Sequence, residues 1–436
     1  MSDIKKFSPS RRNFLKKAAV ASAAFGIPSI VPSSVFGANA PSNRTVLGFI
    51  GCGKQSQHLL RAFIREDGTQ VVSLCDVDSL KLQRDLNIAK AYYTKNPSGG
   101  AKGIQTTGDY RELLARKDID AVIISTPDHW HGLNVVHSAE AGKDIYCEKP
   151  LVHNIAEGKA MVNAVRRNNR IFQTGSMQRS DNKFRHACEL VQNGYIGDIK
   201  HVAVNVGGPP IPCNLPAEKL PNYLDWDMWV GPAPMRPYNS ELSPHLSNDV
   251  FPNWRGYREF GGGGMTDWGA HHFDIAQWGL GMDGSGPVKV IPPDGNDVKD
   301  LTYVYENGIT MSRSSVYEGT EVNGILFVGS KGKVMVNRGF LKTWPEQLLR
   351  QDFGPREIHL YNSQNHYADF LNAMRSREKP ICDIAIGYST VAVCLMGNIA
   401  YEVGRPLDFD QKTQMFINDD EANKFLGRPM RGEWSI

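Results

Sequence analysis

From Arg44 onwards, short apolar runs alternate with segments of helical pattern. TVLGFI is followed by a glycine turn and by KQSQHLLRAF, which has helical spacing, and further apolar runs follow at QVVSLC, AVII, DIYC and RIFQT. Strands that alternate with helices in this way favour a parallel sheet with helices on both faces. The sequence therefore predicts an α/β chain whose first domain, residues 41–172, contains a doubly wound parallel sheet.

The first turn carries a G-x-G pattern at the point where a strand ends and a helix begins. Gly51 permits a tight turn, and Gly53 lets the backbone approach a phosphate at the helix N-terminus. Ser56 replaces the usual third glycine and is small enough for close helix packing. Asp76 ends the second strand, where a carboxylate binds a ribose 2′-hydroxyl and repels a 2′-phosphate. We predict that Gly51, Gly53, Lys54 and Asp76 bind NAD, and NADP less well, in a Rossmann domain; the alternative is a plain turn with a capping aspartate.

Two later strands, AVII and DIYC, are expected to end in residues that face the same crevice. Ligands of such sheets bind outside the carboxyl ends of the strands. Glu148 and Lys149 follow DIYC, and Pro150 fixes the backbone behind them. Lys149 is a candidate to take or give a proton. The simpler alternatives are that Lys149 and Glu148 form a solvated pair and that His131 is only a surface histidine. The predicted cofactor contacts at the strand ends are Thr126, Pro127, His131, Glu148 and Lys149.

A second glycine-rich segment, EFGGGGMTDWGAHHFDIAQWGLG, runs into a predicted helix. Asp267 and His271 are four residues apart and share a helix face, with Asp267 in the first turn, where a carboxylate is favoured. A carboxylate beside an imidazole orients the ring and raises its basicity. With Lys149, this pair predicts a catalytic site that moves a hydroxyl proton while a hydride leaves the carbon. The alternatives are a structural Asp–His pair and a metal site that adds His272 and Asp274; we favour no metal, because His272 points about 100° away from His271.

Four motifs in this order resemble one known family. They are the glycine loop, STPDHWH (125–131), EKP (148–150) and GGGGMTDWGAHHFD (261–274). Together they resemble the Gfo/Idh/MocA family of nicotinamide-dependent oxidoreductases, and the resemblance covers nearly the whole chain after residue 43.

The resemblance implies an N-terminal Rossmann domain and a C-terminal α/β domain built on a large, open, mostly antiparallel sheet. It implies sugars, cyclitols and their derivatives as substrates, and a homo-oligomer. It also implies that Lys149 is catalytic or polarises the substrate. Asp267 and His271, from the family's D-x-G-x-H-x-x-D motif, are implied to lie beside the substrate and the nicotinamide.

The second half of the chain predicts a different kind of sheet. Three segments alternate apolar and polar residues, with hairpin turn signals at ENG (306–308) and SKG (330–332). We expect a substrate and oligomerisation domain over residues 173–436, with the last helices packing between the domains. A stretch rich in Pro and Trp, residues 209–239, is expected to form an ordered insertion that wraps the site.

Several residues of this half are candidates for contact with a sugar. Arg179 lies just after the strand RIFQT, and Trp254 belongs to a group of aromatic residues, with Trp226, Trp229 and Tyr257, that could stack on sugar rings or form core. The predicted substrate contacts are Arg179, Trp254 and His271.

Residues 1–40 have the features of an export leader. SRRNFLKKAAVASAAFG places Arg11 and Arg12 before an alanine-rich stretch, and Ala38 and Ala40 fit a small-x-small cleavage pattern. Paired arginines and weak hydrophobicity resemble a Tat leader, which exports folded proteins. A Sec leader and a basic tail are the alternatives. We expect an exported, periplasmic protein.

Charge and cysteine usage narrow the class of protein. The formal net charge is +3, and the leader alone contributes about +5, so the remainder has no basic face for nucleic acid. The seven cysteines include no C-x-x-C pair, which favours buried thiols over a disulfide framework or a zinc site. We also expect no membrane span in the mature protein, because no apolar run is long and uninterrupted enough.

The predicted function is hydride transfer between a hydroxyl of a sugar, glycoside or cyclitol and a tightly held NAD(P). Free NAD is scarce outside the cytoplasm, so an exported enzyme would carry its cofactor with it and regenerate it in place. One alternative is a redox-neutral, NAD-dependent glycosidase that acts by oxidation, elimination, water addition and reduction. Another is a sugar-binding protein without catalysis, against which the intact Lys149, Asp267 and His271 count.

Overall fold

The computed structural model describes residues 44–96 and 103–436. The expected leader, residues 1–40, lies outside the described residues. Within them the chain forms a six-stranded sheet, a nine-stranded sheet and a two-stranded ribbon.

The first domain is a parallel sheet with the strand order β3-β2-β1-β4-β5-β6. The order reverses between β1 and β4, and ligands of doubly wound sheets bind at such a switch point. The sequence pattern does not predict β3, because its residues are polar and mostly exposed. The strands are β1 (Thr45–Ile50), β2 (Thr69–Cys75), β3 (Gln105–Thr107), β4 (Ala121–Ile124), β5 (Asp144–Cys147) and β6 (Phe172–Thr174).

Five helices cover this sheet, and their caps fix where they begin. The side chain of Asp78 accepts from the Leu80 and Lys81 amides at the start of α2, and Asn154 accepts from Glu157 at the start of α5. The helix after the glycine turn differs, because Gly53 at its N-cap offers no side chain. The helices are α1 (Lys54–Phe63), α2 (Ser79–Lys95), α3 (Tyr110–Leu114), α4 (Asp128–Glu140) and α5 (Ile155–Arg167).

The second domain is built on a mixed, mostly antiparallel sheet with the order β15-β14-β13-β7-β10-β9-β8-β16-β17. Only β7 and β10 pair in parallel. The predicted turns at 306–308 and 330–332 are confirmed, since they join the antiparallel pairs β9–β10 and β13–β14. The strands are β7 (Ile199–Val204), β8 (Lys289–Ile291), β9 (Leu301–Val304), β10 (Thr310–Arg313), β11 (Val316–Tyr317), β12 (Thr320–Glu321), β13 (Ile325–Gly329), β14 (Lys333–Asn337), β15 (Phe340–Trp344), β16 (Leu407–Asp410) and β17 (Met415–Phe416), where β11 and β12 form the ribbon.

Helices of the second half connect the two sheets. Phe370, from α10, packs its ring edge-on against Phe63 and Tyr146 of the first domain, with centroids 6.2 and 5.9 Å apart. Just before α11, the Cys382 carbonyl accepts from the Thr174 amide of β6 at 2.9 Å. The helices are α6 (Asn182–Gln192), α7 (Trp226–Val230), α8 (Gly263–Asp267), α9 (Gly269–Gly279), α10 (His366–Ser376), α11 (Ile384–Val403) and α12 (Asp420–Asn423).

One of these helices has the length and composition of a membrane span. Among the described residues only α11 is long and apolar enough, and 72% of its most apolar window is buried inside the protein. Burial of this kind is expected of a core helix, which is apolar around its circumference and is covered by protein.

Candidate active site

The glycine turn places two glycines with different surroundings at the edge of the parallel sheet. Gly51 has a φ of +91°, and a Cβ there would lie 2.8 Å from the backbone of Ser125 and Thr126. Gly53 has an ordinary φ of −69°, and a Cβ there would meet no atom within 4 Å. Gly51 is therefore required by the protein itself, whereas Gly53 opens onto free space beside the uncapped N-terminus of α1. This arrangement fits a bound pyrophosphate.

Side chains from β2 and α2 hold the turn from behind. Asp76 accepts from the Cys52 amide through Oδ2 and from the Asp78 amide through Oδ1, the latter at 2.7 Å. Arg84 donates to the carbonyl oxygens of Cys52 and Gly53, at 2.9 Å for Gly53. Burial raises the pKa of Asp76. Its carboxylate still has acceptor capacity for ribose hydroxyls, because a carboxylate accepts up to four hydrogen bonds.

The serine that replaces the third glycine has a partner of its own. Ser56 is fully buried, and its Oγ donates to Asp85 Oδ2 at 2.9 Å. Burial raises the pKa of Asp85 to about 6. The departure from G-x-G-x-x-G therefore adds a buried hydrogen bond between α1 and α2 and leaves the turn intact.

A cleft lies against this turn, and its other wall is formed by the insertion of the second domain and the residues that follow it. Four predicted cofactor residues from the turn and β2 line it, as do Thr126 and Pro127. The lining includes Gly51, Gly53, Lys54, Asp76, Thr126, Pro127, Trp130, Met228, Trp229, Trp254 and Arg255.

The insertion and the segment that follows it, residues 240–255, are bonded to the first domain at the start of α1 and at the start of α2. Lys54 Nζ lies 2.9 Å from Asp249 Oδ1, and Lys81 Nζ donates to Ser243 Oγ at 3.0 Å. Backbone bonds join Ser79 to Tyr223 at 2.9 Å. Residues 209–239, which were expected to wrap the site, contribute Met228 and Trp229 to the wall of the cleft, and residues 240–255 complete the roof over it.

Lys149 and Asp267 meet beyond the end of β5. Lys149 Nζ donates to Asp267 Oδ1 at 2.7 Å and to the Asp267 carbonyl oxygen at 2.9 Å. Arg255 Nε lies 3.6 Å from the same Oδ1. Burial raises the pKa of Asp267, but the charge and hydrogen bond of Lys149 and the charge of Arg255 outweigh it, so the pKa is lowered overall.

His271 lies one helical turn further on and is bonded to neither residue. It is 5% exposed, and in the described part of the chain neither ring nitrogen has a hydrogen-bond partner. Burial, then the charges of Lys149 and Arg338, hold the pKa of His271 well below its usual range. The expected Asp267–His271 pair is wrong, because Asp267 ends α8, the helix restarts at Gly269, and Lys149 occupies the carboxylate.

The glycine run before Asp267 is needed for a close crossing of two segments. A Cβ on Gly264 would lie 2.6 Å from the Cα of Gly207. Only two glycines can pack backbone against backbone in this way. The crossing fixes α8, and with it Asp267, against the segment that follows β7.

Glu148 and His131 lie behind the cleft and are almost fully buried. Glu148 Oε1 accepts from Gln55 Nε2 at 3.1 Å, and burial raises the pKa of Glu148. The two ring nitrogens of His131 lie 2.8 Å from the Pro150 carbonyl oxygen and 3.0 Å from that of Thr126. His131 therefore ties the ends of β4 and β5 together, and neither side chain lines the cleft.

Arg179 and Trp254 do not lie where the predicted substrate contacts were expected. Arg179 is 1% exposed and pairs with Asp274 Oδ2 at 2.8 Å and with Asp283 Oδ1 at 2.6 Å. The prediction that Arg179 contacts substrate is corrected: its guanidinium is a core ion-pair group. Trp254 lines the cofactor cleft, with the Arg255 guanidinium 4.3 Å from its ring centre.

Sequence reasoning missed Asp128 and Arg255, which lie near Lys149 and Asp267. Asp128 is 3% exposed, and burial raises its pKa to about 8, with the Asp267 charge adding to the rise and Arg255 and Lys149 opposing it. The strand-end rule that pointed to Thr126 also reaches Asp128. Arg255 lies in a short 3-10 turn, Asn253–Gly256, after the insertion, and no motif marks it.

The remaining sequence expectations concern metal and thiols. Within residues 44–96 and 103–436, no group of three or more His, Cys, Asp or Glu side chains is arranged to hold a metal ion. All seven cysteines are buried as free thiols.

Two family models match the chain. Residues 46–176 match the model described as oxidoreductase family, NAD-binding Rossmann fold. Residues 211–436 match the model described as oxidoreductase family, C-terminal alpha/beta domain. The first domain is thus an NAD-binding Rossmann domain.

Curated relatives match over part of their length. A glycosyl hydrolase family 109 protein of Shewanella pealeana is 30% identical over 209 residues, which is 44% of each chain. An uncharacterized oxidoreductase of Streptococcus pneumoniae is 30% identical over 152 residues, 35% of this chain and 37% of that one. The chain spans less than half the length of these relatives.

Solved structures share the fold. The WlbA dehydrogenase of Bordetella pertussis, in complex with NADH and UDP-GlcNAcA, aligns with a TM-score of 0.55 at 18% identity, over 84% of this chain and 99% of that one. An aldose-aldose oxidoreductase of Caulobacter crescentus aligns with a TM-score of 0.55 at 18% identity, over 84% and 100%.

Proposed function

Because the chain belongs to the Gfo/Idh/MocA family of oxidoreductases, we propose that it transfers a hydride between a carbohydrate hydroxyl and an NAD that stays bound between turnovers. The observation that carries this proposal is the Lys149–Asp267 pair at 2.7 Å. It lies beyond the carboxyl end of β5, where the charge of Lys149 acts on the unbonded His271.

NAD, when bound, accepts the hydride from the substrate carbon. The protein's part is to orient the hydroxyl and to move its proton. Asp267 holds the Lys149 ammonium, which donates an N–H to the substrate oxygen. The lowered pKa of His271 keeps its ring neutral at ordinary pH, so a free ring nitrogen accepts the hydroxyl proton.

The roof over the cleft supports retention of the cofactor. The bonds from Lys54 to Asp249 and from Lys81 to Ser243 join the first domain to the segment that follows the insertion. Contacts that close over a cleft in this way would slow the release of a bound dinucleotide. Retention fits an enzyme that reoxidises its NAD with a second substrate at the same site.

The test uses protein purified without added NAD. Its nucleotide content and the near-ultraviolet absorbance of reduced nicotinamide are recorded before and after a panel of sugars, glycosides and cyclitols is added. We expect bound NAD that one class of substrate reduces. No bound nucleotide, and no absorbance change with NAD supplied, would contradict the proposal and favour a sugar-binding protein.

A redox-neutral glycosidase is the second candidate, and the matches to glycosyl hydrolase family 109 proteins favour it. Transient oxidation of a hydroxyl acidifies a neighbouring C–H, elimination then breaks the glycosidic bond, and water addition and reduction restore the sugar. The same Lys149 and His271 groups serve the oxidation step. Cleavage of an aryl glycoside with no net change in nicotinamide absorbance would select this mechanism.

We further propose that the protein is exported with its cofactor bound. Arg11 and Arg12 precede a weakly apolar stretch, and the seven buried free thiols suit a chain that folds before export. The N-terminal sequence of the protein from the periplasmic fraction should begin near residue 41. Retention of the Met1 terminus, or export unaffected by Arg11→Lys with Arg12→Lys, would contradict it.

A further inference from the structure

A tryptophan beside Asp267, the partner of Lys149, is unusually exposed. Trp268 separates α8 from α9 and is 45% exposed. Its ring lies 6.0 Å from that of His271. An exposed aromatic face next to reacting groups offers an apolar surface for the C–H face of a sugar ring.

An arginine stacks on this tryptophan. The guanidinium carbon of Arg338, in the turn between β14 and β15, lies 4.9 Å from the centre of the Trp268 ring. With its amide oriented to satisfy both neighbours, Gln178 accepts from Arg338 Nε at 3.2 Å and donates to the His271 carbonyl oxygen at 2.9 Å. Arg338 is thereby linked to the backbone of the predicted catalytic histidine.

The rest of the Arg338 guanidinium is available to a ligand. Arg338 is exposed, and its terminal Nη groups have no hydrogen bond or ion pair within the residues that the structure describes. Held at Nε and stacked on one face, it presents N–H groups in a fixed plane. A planar fork of this kind matches the two oxygens of a carboxylate.

The charges around the site point the same way. Lys149 and Arg255 share one carboxylate, that of Asp267, at 2.7 and 3.6 Å. Arg338 adds a third cation, and no carboxylate of residues 44–96 and 103–436 lies within ion-pair distance of it. Arg255 lines the cofactor cleft, whereas Arg338 does not, so Arg338 is the cation left for the substrate.

We propose that the substrate is an anionic carbohydrate, such as a uronic acid or its glycoside, whose ring lies on Trp268 and whose carboxylate is bound by Arg338. This assignment rests on the proposed hydride transfer and names the substrate class of the same site. Gln178 acts as a positioning residue that sets the plane of the guanidinium.

The experiment compares matched pairs of substrates on the NAD-containing protein. Methyl glucoside and methyl glucuronide form one pair, and the galactose-derived compounds form another. We expect kcat/KM for reduction of bound NAD to be about tenfold or more higher for the uronide, as charge-assisted hydrogen bonds predict. Arg338→Gln should reduce this preference to near unity, chiefly through KM.

Lys342→Gln is the matched control. Lys342 also stacks a cation on an aromatic ring, Phe340, at 5.1 Å. Phe340 packs with the cluster on the other face of the sheet, around Leu326 and Met335. This variant should keep the full preference for the uronide.

Calorimetric titration of the same proteins with each glycoside gives a readout that does not depend on turnover. Tighter binding of the uronide, lost in Arg338→Gln, supports the proposal. Reduction by neutral sugars without any gain for uronides rejects the anionic assignment and leaves the oxidoreductase. A changed oligomeric mass of Arg338→Gln with an unchanged preference identifies a subunit contact and also rejects it. If no glycoside of the set binds and none reduces the bound NAD, both proposals are overturned.

Discussion

The cofactor side and the substrate side of the candidate site differ in how completely their polar groups are bonded. On the cofactor side, Asp76 and Arg84 use their side chains to hold the amides and carbonyls of the glycine turn. On the substrate side, His271 has no ring-nitrogen partner in the described chain, and Trp268 is 45% exposed. Because the cofactor has the same shape in every turnover, the glycine turn can be held in place before the cofactor binds. Groups left unpaired on the other side must instead be satisfied by the substrate's own polar atoms.

The largest effect is expected on the substrate side, at Lys149. Lys149→Met removes the N–H donor for the substrate oxygen and leaves the glycine turn untouched, so reduction of bound NAD should slow by roughly 100- to 10,000-fold. NAD content after purification should stay the same. Lys117→Met, an exposed lysine of the same domain, is the control and should retain full activity. Unchanged turnover in Lys149→Met would remove Lys149 from the mechanism.

Behind the substrate side, the buried ion pair of Arg179 and Asp274 joins the segment before α6 to α9. Arg179→Met leaves the Asp274 carboxylate, which is 0% exposed, without its cation, so the free energy of unfolding should fall by about 3–5 kcal/mol. Arg167→Met breaks the exposed pair with Glu140 and should cost about 1 kcal/mol or less. Denaturant titration of both variants measures the difference. Equal stability combined with a raised KM in Arg179→Met would restore the original prediction of substrate contact.

The parts of this site that the sequence predicted are those that local chain geometry determines. Gly51, Asp76 and Lys149 follow strands, and every parallel strand brings its carboxyl end to the same edge. The pairing of Lys149 with Asp267 depends on contact between residues 118 positions apart. No spacing rule reports such contacts.

The same limit explains the misplaced arginine. A buried arginine and an exposed one look alike in a sequence, and the partner of Arg179 lies 95 positions away. Arg255 and Arg338 come from irregular segments without periodicity, so neither pattern nor motif marks them. The substrate side is assembled from such segments, and it was therefore predicted less completely than the cofactor side.

Two glycine-to-alanine substitutions distinguish an effect on folding from an effect on cofactor binding. Gly51→Ala forces a Cβ to within 2.8 Å of the Ser125–Thr126 backbone at a φ of +91°, so the protein should lose roughly 2 kcal/mol or more of stability. Gly53→Ala meets no protein atom within 4 Å, so its melting temperature without nucleotide should not fall. Its methyl group fills the space of the pyrophosphate, and the Kd for NAD should rise about tenfold. Equal NAD affinity in Gly53→Ala and the parent would place the cofactor elsewhere.

The smallest effect on activity is expected where the two sides meet, at Asp128. Its pKa is raised to about 8 by burial, so the native carboxyl stays protonated at neutral pH, whereas the unfolded one ionises above about 4. The stability that the neutral carboxyl confers is complete below the unfolded pKa and is lost as pH rises through the folded value. Asp128→Asn cannot ionise, so its advantage in melting temperature over the parent should widen between about pH 4 and pH 8 and then level off.

Activity should follow the same titration. Ionisation places a second carboxylate near Lys149 and Asp267, where it competes for the ammonium and repels an anionic substrate. The ratio of kcat/KM between parent and Asp128→Asn should therefore fall roughly fivefold as pH passes about 8, which corresponds to about 1 kcal/mol. The NAD content of both proteins should not change across this pH range, because Asp128 forms none of the hydrogen bonds that hold the glycine turn. A ratio that stays constant while NAD is lost would place the titrating group on the cofactor side and reverse the contrast between the two sides of the site.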